Sequence, residues 1–350
     1  MTRHRQDRLF RGLLLAGLAF SSVPASAAES VAEFYKGKTF TVAIGFAPGG
    51  SHDLNGRIIA RHIGKYLPGN PNVISQNVPG AGSLTLANHI VTTAPADGTY
   101  IGAINRSVVF DELYTGRSAG SRFDPLKVSW LGGPDTITSV GIAWHTAPVK
   151  KAEDLLTHEM IIGTSADASA GSTVAKLLTS TAGFKFKLIQ GYPSGSDTDL
   201  AIERGELHGR ATLPWGGLKG RNASWLKENK INMLYQSGLE KHSEIPQVPL
   251  AIDFSRTPDD RKVAELFFAA EDIGYTYLAP PDVPPDRLAA IREALAKAFR
   301  DPELISEARK AGLDINPVTW QRMTKVISDA YSAPEPIRKR LRETIADGSK

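Results

Sequence analysis

Residues 39–46 read TFTVAIGF, an uncharged run of β-branched, aromatic and small residues with the pattern of a buried strand. The run Ala47-Pro48-Gly49-Gly50-Ser51 breaks it. Leu54, Ile58, Ile59, Ile63 and Leu67 then recur at helical spacing, which predicts a helix opening near Ser51 or Asp53. The same order returns at once. Residues 72–78 read as a strand, 79–83 as the turn PGAGS, and Leu84, Ala87, Ile90 and Val91 as a helix that runs to Ala94-Pro95. A third strand, 98–104, ends at Asn105-Arg106-Ser107. Strands alternating with helices predict a parallel sheet with right-handed crossovers. In such a sheet the loops after the carboxyl ends of the strands line the ligand crevice, and all three loops lie there.

The second half repeats the alternation. Residues 118–134 are irregular and rich in Gly, Pro and Ser, which places a first interdomain crossing near Leu131. A strand over 160–164 leads into a small-residue loop, 165–171, and a helix carried by Val174, Leu177, Leu178 and Thr181. A strand over 184–190 is followed by a turn, 191–197, and a short helix, 200–204. Strands over 209–213 and 231–235 flank a helix near 218–228. Residues 246–249 read as the return crossing, and 267–278 as a segment rejoining the first domain, with 275–278 a strand. The prolines of PPDVPP, 280–285, stiffen a connector before helices over 288–299, 303–310, 320–331 and 335–344. The expected domains are a leader, 1–27, a first lobe of 28–131 plus about 247–350, and a second lobe of 132–246.

The 350 residues suffice for two cores, and 41% hydrophobic with 22% charged residues is the balance of a soluble globular chain. The absence of cysteine excludes disulfides, thiolate metal sites and cysteine nucleophiles. Arg3, Arg5, Arg8 and Arg11 precede a short apolar run, 12–20, and a small-residue site at Ala25-Ser26-Ala27, the signature of a secretory signal peptide cleaved after Ala27 or Ala28. The run falls short of the roughly 20 residues of a spanning helix. The expected mature chain is therefore periplasmic and not inserted in the membrane. Removing residues 1–27 lowers the formal charge from +4 to +1, so the basicity belongs to the leader and nucleic-acid binding has little support.

A strand, a glycine turn and a helix N-terminus together form an anion site, because glycine lets the backbone approach a ligand and the first helical N–H groups point at it. The same turn can serve geometry alone. Asp53 reads as a cap or loop brace, since a carboxylate facing an anion would repel it. His52 reads as a solvated loop histidine. Arg106 suits either a ligand carboxylate or an interlobe ion pair, and Trp215 either a cleft wall or core packing. His158-Glu159 lacks the second histidine of a zinc-protease motif, and no G-x-S-x-G elbow or Walker loop is present. Gly80-Ala81-Gly82 lacks the third glycine of a dinucleotide fingerprint. A periplasmic hydrolase using Ser51 or Ser83 with His52 is the rival reading from another class, and a ligand sensor for a signalling partner is a third.

As a set, FAPGGSHD at 46–53, NVPGAGS at 77–83, PADGTYIG at 95–102, GYPSGSDTDLAIERGEL at 191–207 and LAPPDVPPDRLAAIREALAKAFRDPE at 278–303 resemble the periplasmic receptors of tripartite tricarboxylate transporters, the TctC or Bug family. The resemblance spans nearly the whole mature chain. It implies a two-lobed α/β Venus-flytrap fold, each lobe a mostly parallel sheet flanked by helices, with two interdomain crossings. It implies a monomer that takes a small carboxylate (di- or tricarboxylate, aromatic acid or amino acid) and delivers it to integral-membrane transporter subunits, with no catalysis, cofactor or metal. By matching position, the first loop supplies Pro48, Gly49, Gly50, Ser51 and Asp53, the second Gly80, Ala81, Gly82 and Ser83, and the third Asn105 and Arg106. The opposing lobe supplies Ser165, Ala166, Gly171, Ser172, Thr173, Tyr192 and Ser194, to which Asp197 and Trp215 are added as candidates. Asp197 and Asp199 stand where the family has small or apolar residues. They fit either a helix cap or a cationic group on the ligand.

Overall fold

The computed structural model describes residues 29–164, 169–192 and 194–346. Ten strands form two five-stranded sheets: β1 (Thr39–Ile44), β2 (Asn72–Asn77), β3 (Tyr100–Asn105), β4 (Ser129–Gly132), β5 (Ser139–Trp144), β6 (Met160–Thr164), β7 (Phe186–Gln190), β8 (Gly209–Pro214), β9 (Ile231–Gln236) and β10 (Tyr275–Ala279). The orders are β2-β1-β3-β10-β4 and β7-β6-β8-β5-β9. In each sheet four strands share a direction and the fourth in order opposes them. β10 pairs antiparallel with β3 and β4, and β5 with β8 and β9. The two opposed strands follow the two crossings, so the chain enters each of them from the other sheet's side.

The crossings fix how the sheets face. β4 ends at Gly132 and β5 begins at Ser139, so residues 133–138 join the sheets and reach at most roughly 20 Å. Ser139 pairs with Pro214 at the carboxyl end of β8, and Tyr275 pairs with Asn105 at the carboxyl end of β3. Both sheets therefore turn their carboxyl edges towards the junction. Gly133 forms a two-bond bridge with Val318, each N–H···O 2.9 Å. Gly132, at φ +95°, lies so close to the Val318 carbonyl that a Cβ would come within 2.5 Å of that oxygen. The Gly-Gly pair is demanded by this backbone approach.

The core has three parts. Phe40, Ile59, Ile63, Tyr277, Ile291 and Leu295 fill one face of the first sheet, and Ile142, Ile202, Leu213 and Trp225 one face of the second. A third cluster is continuous across both lobes: Leu86, Ile104 and Phe110 of the first connect to Ile162, Leu178 and Phe184 of the second through Val263 and Phe268. The connecting helix, Pro258–Ile273, carries Thr257 as N-cap, accepting from Asp260 N. Among the described residues no helix is long and apolar enough to cross a membrane.

Several elements differ from the sequence reading. β4 lies inside the stretch read as irregular, being only four residues long and flanked by turn formers. β5 is buried throughout and so offers no alternation to read. The helix expected near 218–228 is two five-residue turns, Trp215–Lys219 and Ala223–Lys227, parted by Gly220. Asn105-Arg106-Ser107 is no free loop but the start of a helix, Arg106–Tyr114.

Candidate functional site

Where β1 and β2 end side by side, two exposed loops emerge. In the first, Pro48, Gly49, Gly50 and Ser51 are exposed, and Gly50 caps the Ser51–Ile63 helix without any side-chain cap bond. That leaves the first N–H groups of the helix with no side-chain acceptor. Asp53 turns inward and is 2% exposed. It accepts from Gly49 N (2.9 Å), Arg57 Nε (3.0 Å) and Asn77 Nδ2 (2.7 Å), and Asn77 also donates to Phe46 O (2.9 Å). Burial pushes the Asp53 carboxyl up, but the Arg57, Asn77 and Gly49 donors outweigh it and hold its pKa below the usual value. Asp53 thus braces the loop from below.

The second loop is left-handed. Gly80, Ala81, Gly82 and Ser83 have φ of +141°, +44°, +62° and +84° in succession. Two of the four are not glycine, a backbone costing about 1 kcal/mol or more at each such residue. Gly80, Ala81 and Gly82 are exposed. Ser83 is fully buried, and its hydroxyl donates to Gly45 O (2.9 Å), tying the loop to the end of β1. The Leu84–Thr92 helix that follows also lacks a side-chain cap bond.

At the centre of the edge, Asn105 caps its helix by accepting from Ser107 N (3.0 Å), which uses the side chain locally. Arg106 Nη2 donates to Glu271 Oε1 (3.3 Å). His52 is not the solvated loop residue the sequence suggested. It lies in the first helical turn, stacked on Phe46 at 3.9 Å between ring centroids and 4.8 Å from Tyr275. Burial first, then the Arg106 charge, lowers its pKa to about 4, so the imidazole is neutral at pH 7. Phe46, Tyr275 and Glu271 were not singled out from sequence. They come from distant segments and carry no local motif.

In the second lobe, Ser165 and Ala166 lie outside the described residues. Ser172 is buried and donates to Thr164 Oγ1 (3.1 Å), while Thr173 Oγ1 donates to Ser169 O (3.0 Å). Gly171 lies in the first turn of that helix, Ala170–Ala182. Tyr192 packs along β6, where a Cβ on Gly163 would lie 2.9 Å from its ring. Ser194 and Asp197 form a reciprocal cap: Ser194 Oγ donates to Asp197 Oδ2 (2.6 Å) and accepts from Asp197 N (3.4 Å). Asp199 is buried and held by Arg210 (2.7 Å), Arg221 (3.3 Å) and Asn222 (3.1 Å). Trp215, 8% exposed, donates its indole N–H to Glu244 Oε2 (2.6 Å). Lys219 joins the lobes by reaching Glu244 (2.8 Å) and Asp314 (2.9 Å). Asp135, on the first crossing, is pushed up to about 8 by burial and then by Asp314.

No family model matches the chain. A curated protein of Cupriavidus necator, described as a UPF0065 protein in the gbd 5' region, is 23% identical over 260 residues, covering 70% of this chain and 73% of that one. Among solved structures, a ligand-free TctC solute-binding protein from Polaromonas superposes with a TM-score of 0.67 at 15% identity, over 89% of this chain and 99% of its own. The periplasmic binding protein BugD gives 0.53 at 13% identity, over 89% and 98%. R. palustris Rpa4515 with adipate gives 0.55 at 16% identity, over 88% and 97%. MatC from Rhodopseudomonas palustris with bound malate gives 0.50 at 17% identity, over 88% and 99%. The two-lobed fold expected from the motifs is thus the fold of the TctC and Bug periplasmic binding proteins.

Proposed function

We propose that this protein is a periplasmic solute receptor that captures a small carboxylate between its lobes and delivers it to a tripartite tricarboxylate-type transporter. One observation carries the reading: two exposed loops, 48–51 and 80–82, stand side by side at helix N-termini that no side chain caps. Free N–H groups at such ends favour a carboxylate without a dedicated cation. In this reading Pro48, Gly49, Gly50, Ser51, Gly80, Ala81 and Gly82 touch the ligand, Asp53 and Ser83 hold their loops, and Arg106, paired with Glu271, is the candidate cation. The dicarboxylates in two of the structural neighbours, adipate and malate, are the first candidates. The serine-nucleophile alternative fits poorly, because the Ser83 hydroxyl is committed to a carbonyl and the His52 ring to its aromatic neighbours.

A thermal-shift screen of mono-, di-, tri- and aromatic carboxylates and amino acids tests the reading. A ligand at a hundredfold its Kd raises stability by about 2.7 kcal/mol. Gly50 has ordinary φ (−85°) and nothing within 4 Å of a built Cβ, so Gly50→Val leaves the fold intact and fills the ligand's space. The expected outcome is an unchanged ligand-free melting point with the carboxylate shift abolished. A screen in which only neutral sugars stabilise the protein overturns the reading.

A further inference from the structure

We propose a second binding site, in the groove between the Pro285–Ala298 helix and the segment that leads into the Trp320–Tyr331 helix, for a small amphiphilic carboxylate with one anionic head on an apolar chain. Ala289, Arg292, Glu293 and Ala296 fall at i, i+3, i+4 and i+7 of the first helix and so share one face. The two alanines keep that face shallow, and a cavity of about 430 Å³ remains, within the roughly 300–1,000 Å³ of small-molecule sites. Leu131, Phe299, Val318 and Trp320 supply its apolar lining. No residue of the two exposed glycine loops lines it.

The cations of the lining have no carboxylate partners. The Arg292 guanidinium lies 3.8 Å from the centre of the Trp320 ring, and its Nε and Nη2 donate to Trp130 O (3.0 and 2.9 Å). Its Nη1 makes no hydrogen bond among the described residues and is not sealed from solvent, so an occupant of the groove can reach it. Burial alone lowers the Arg292 pKa, with no nearby carboxylate to offset it. Arg300 is exposed and makes no ion pair among the described residues. The one acid of the lining, Glu293, is held by Lys297 (2.8 Å). A cation with an open donor beside an apolar wall selects an anion with an apolar body. An ammonium would be repelled, and an alcohol would forgo the charge-assisted hydrogen bond. The inference does not depend on the identity of the cleft ligand.

Isothermal titration of the wild type and of Gly50→Val with sodium octanoate below its micellar concentration, against 1-octanol and octylammonium chloride, tests it. Saturable octanoate binding is expected in both proteins, about tenfold or more tighter than either control, the contribution of one charged hydrogen bond. In the Gly50→Val background it should weaken about tenfold in Arg292→Met and be lost in Ala296→Trp, which fills the groove from an exposed helical position. Circular dichroism melts establish that the variants are folded, and Arg300→Gln, at an exposed residue, keeps the charge test open should Arg292→Met unfold. No saturable octanoate binding in Gly50→Val, binding unchanged in Ala296→Trp or in both arginine variants, or octylammonium binding as tightly as octanoate overturns the proposal. Octanoate binding beside a failed carboxylate screen would discredit only the cleft reading.

Discussion

Asp53 is the residue on which the first glycine loop rests. Its three donors come from the loop (Gly49), the helix (Arg57) and the neighbouring strand (Asn77), so one carboxylate sets the loop's height above the sheet. Asp53→Ala leaves a partly buried guanidinium and two amides without their acceptor, a loss of about 2–4 kcal/mol that urea unfolding would measure. Carboxylate affinity should fall with it, because the loop loses its brace. That role was legible in the chain, since a carboxylate in the first turn of a helix beside an anion cradle has few other uses. Ser83 was less legible. Its motif marks it for the ligand, whereas the left-handed backbone of 80–83 turns its hydroxyl under the loop, and no single-residue preference foretells a left-handed run with alanine and serine in it.

At the level of elements, the first turn of the Ser51–Ile63 helix and the start of β10 are joined by the Phe46, His52 and Tyr275 rings. The imidazole has a folded pKa of about 4 against 6.5 in the unfolded chain. A base with a depressed folded pKa contributes stability that is complete above pH 6.5 and is lost as pH falls towards 4, up to about 3 kcal/mol in all. His52→Phe keeps the stack and removes the titration. Melting points of the two proteins should therefore diverge progressively from pH 6.5 down to 4, with the variant the less acid-sensitive. Equal acid sensitivity would mean that the folded imidazole keeps the pKa it has in the unfolded chain. The elements that sequence pattern revealed best are those with period or punctuation: β1, β2 and the helices after them. β5 and the Pro258–Ile273 helix escaped notice because burial on every side, or on broad faces, erases periodicity.

For the whole molecule, two kinds of contact oppose each other. The core that runs through Val263 and Phe268 couples the lobes without a gap, whereas only polar groups meet at Lys219, Glu244 and Asp314. Packed interiors resist deformation, so lobe motion is expected to pivot about the continuous core and open at the ion pair. Lys219→Met should enlarge the radius of gyration measured by small-angle X-ray scattering at low salt, and the difference from wild type should shrink at 1 M salt, where screening has already weakened the pair. A ligand that bridges the lobes would restore the compact value. Neither Lys219 nor Asp314 could be found in the sequence alone, because their meeting depends on how the lobes are set.

The indole of Trp215 gives its N–H to the same Glu244 carboxylate that Lys219 holds, and the Lys219 ammonium stands 5.7 Å from the centre of the ring. An excited indole shifts its emission with the field of nearby charges and is quenched by groups that accept its electron or proton. Lobe separation that draws Lys219 away from Asp314 would alter that field at the ring itself. Among its five tryptophans, Trp215 is the one bonded to the Glu244 that Lys219 holds, so its emission is expected to shift when the Lys219–Asp314 contact opens.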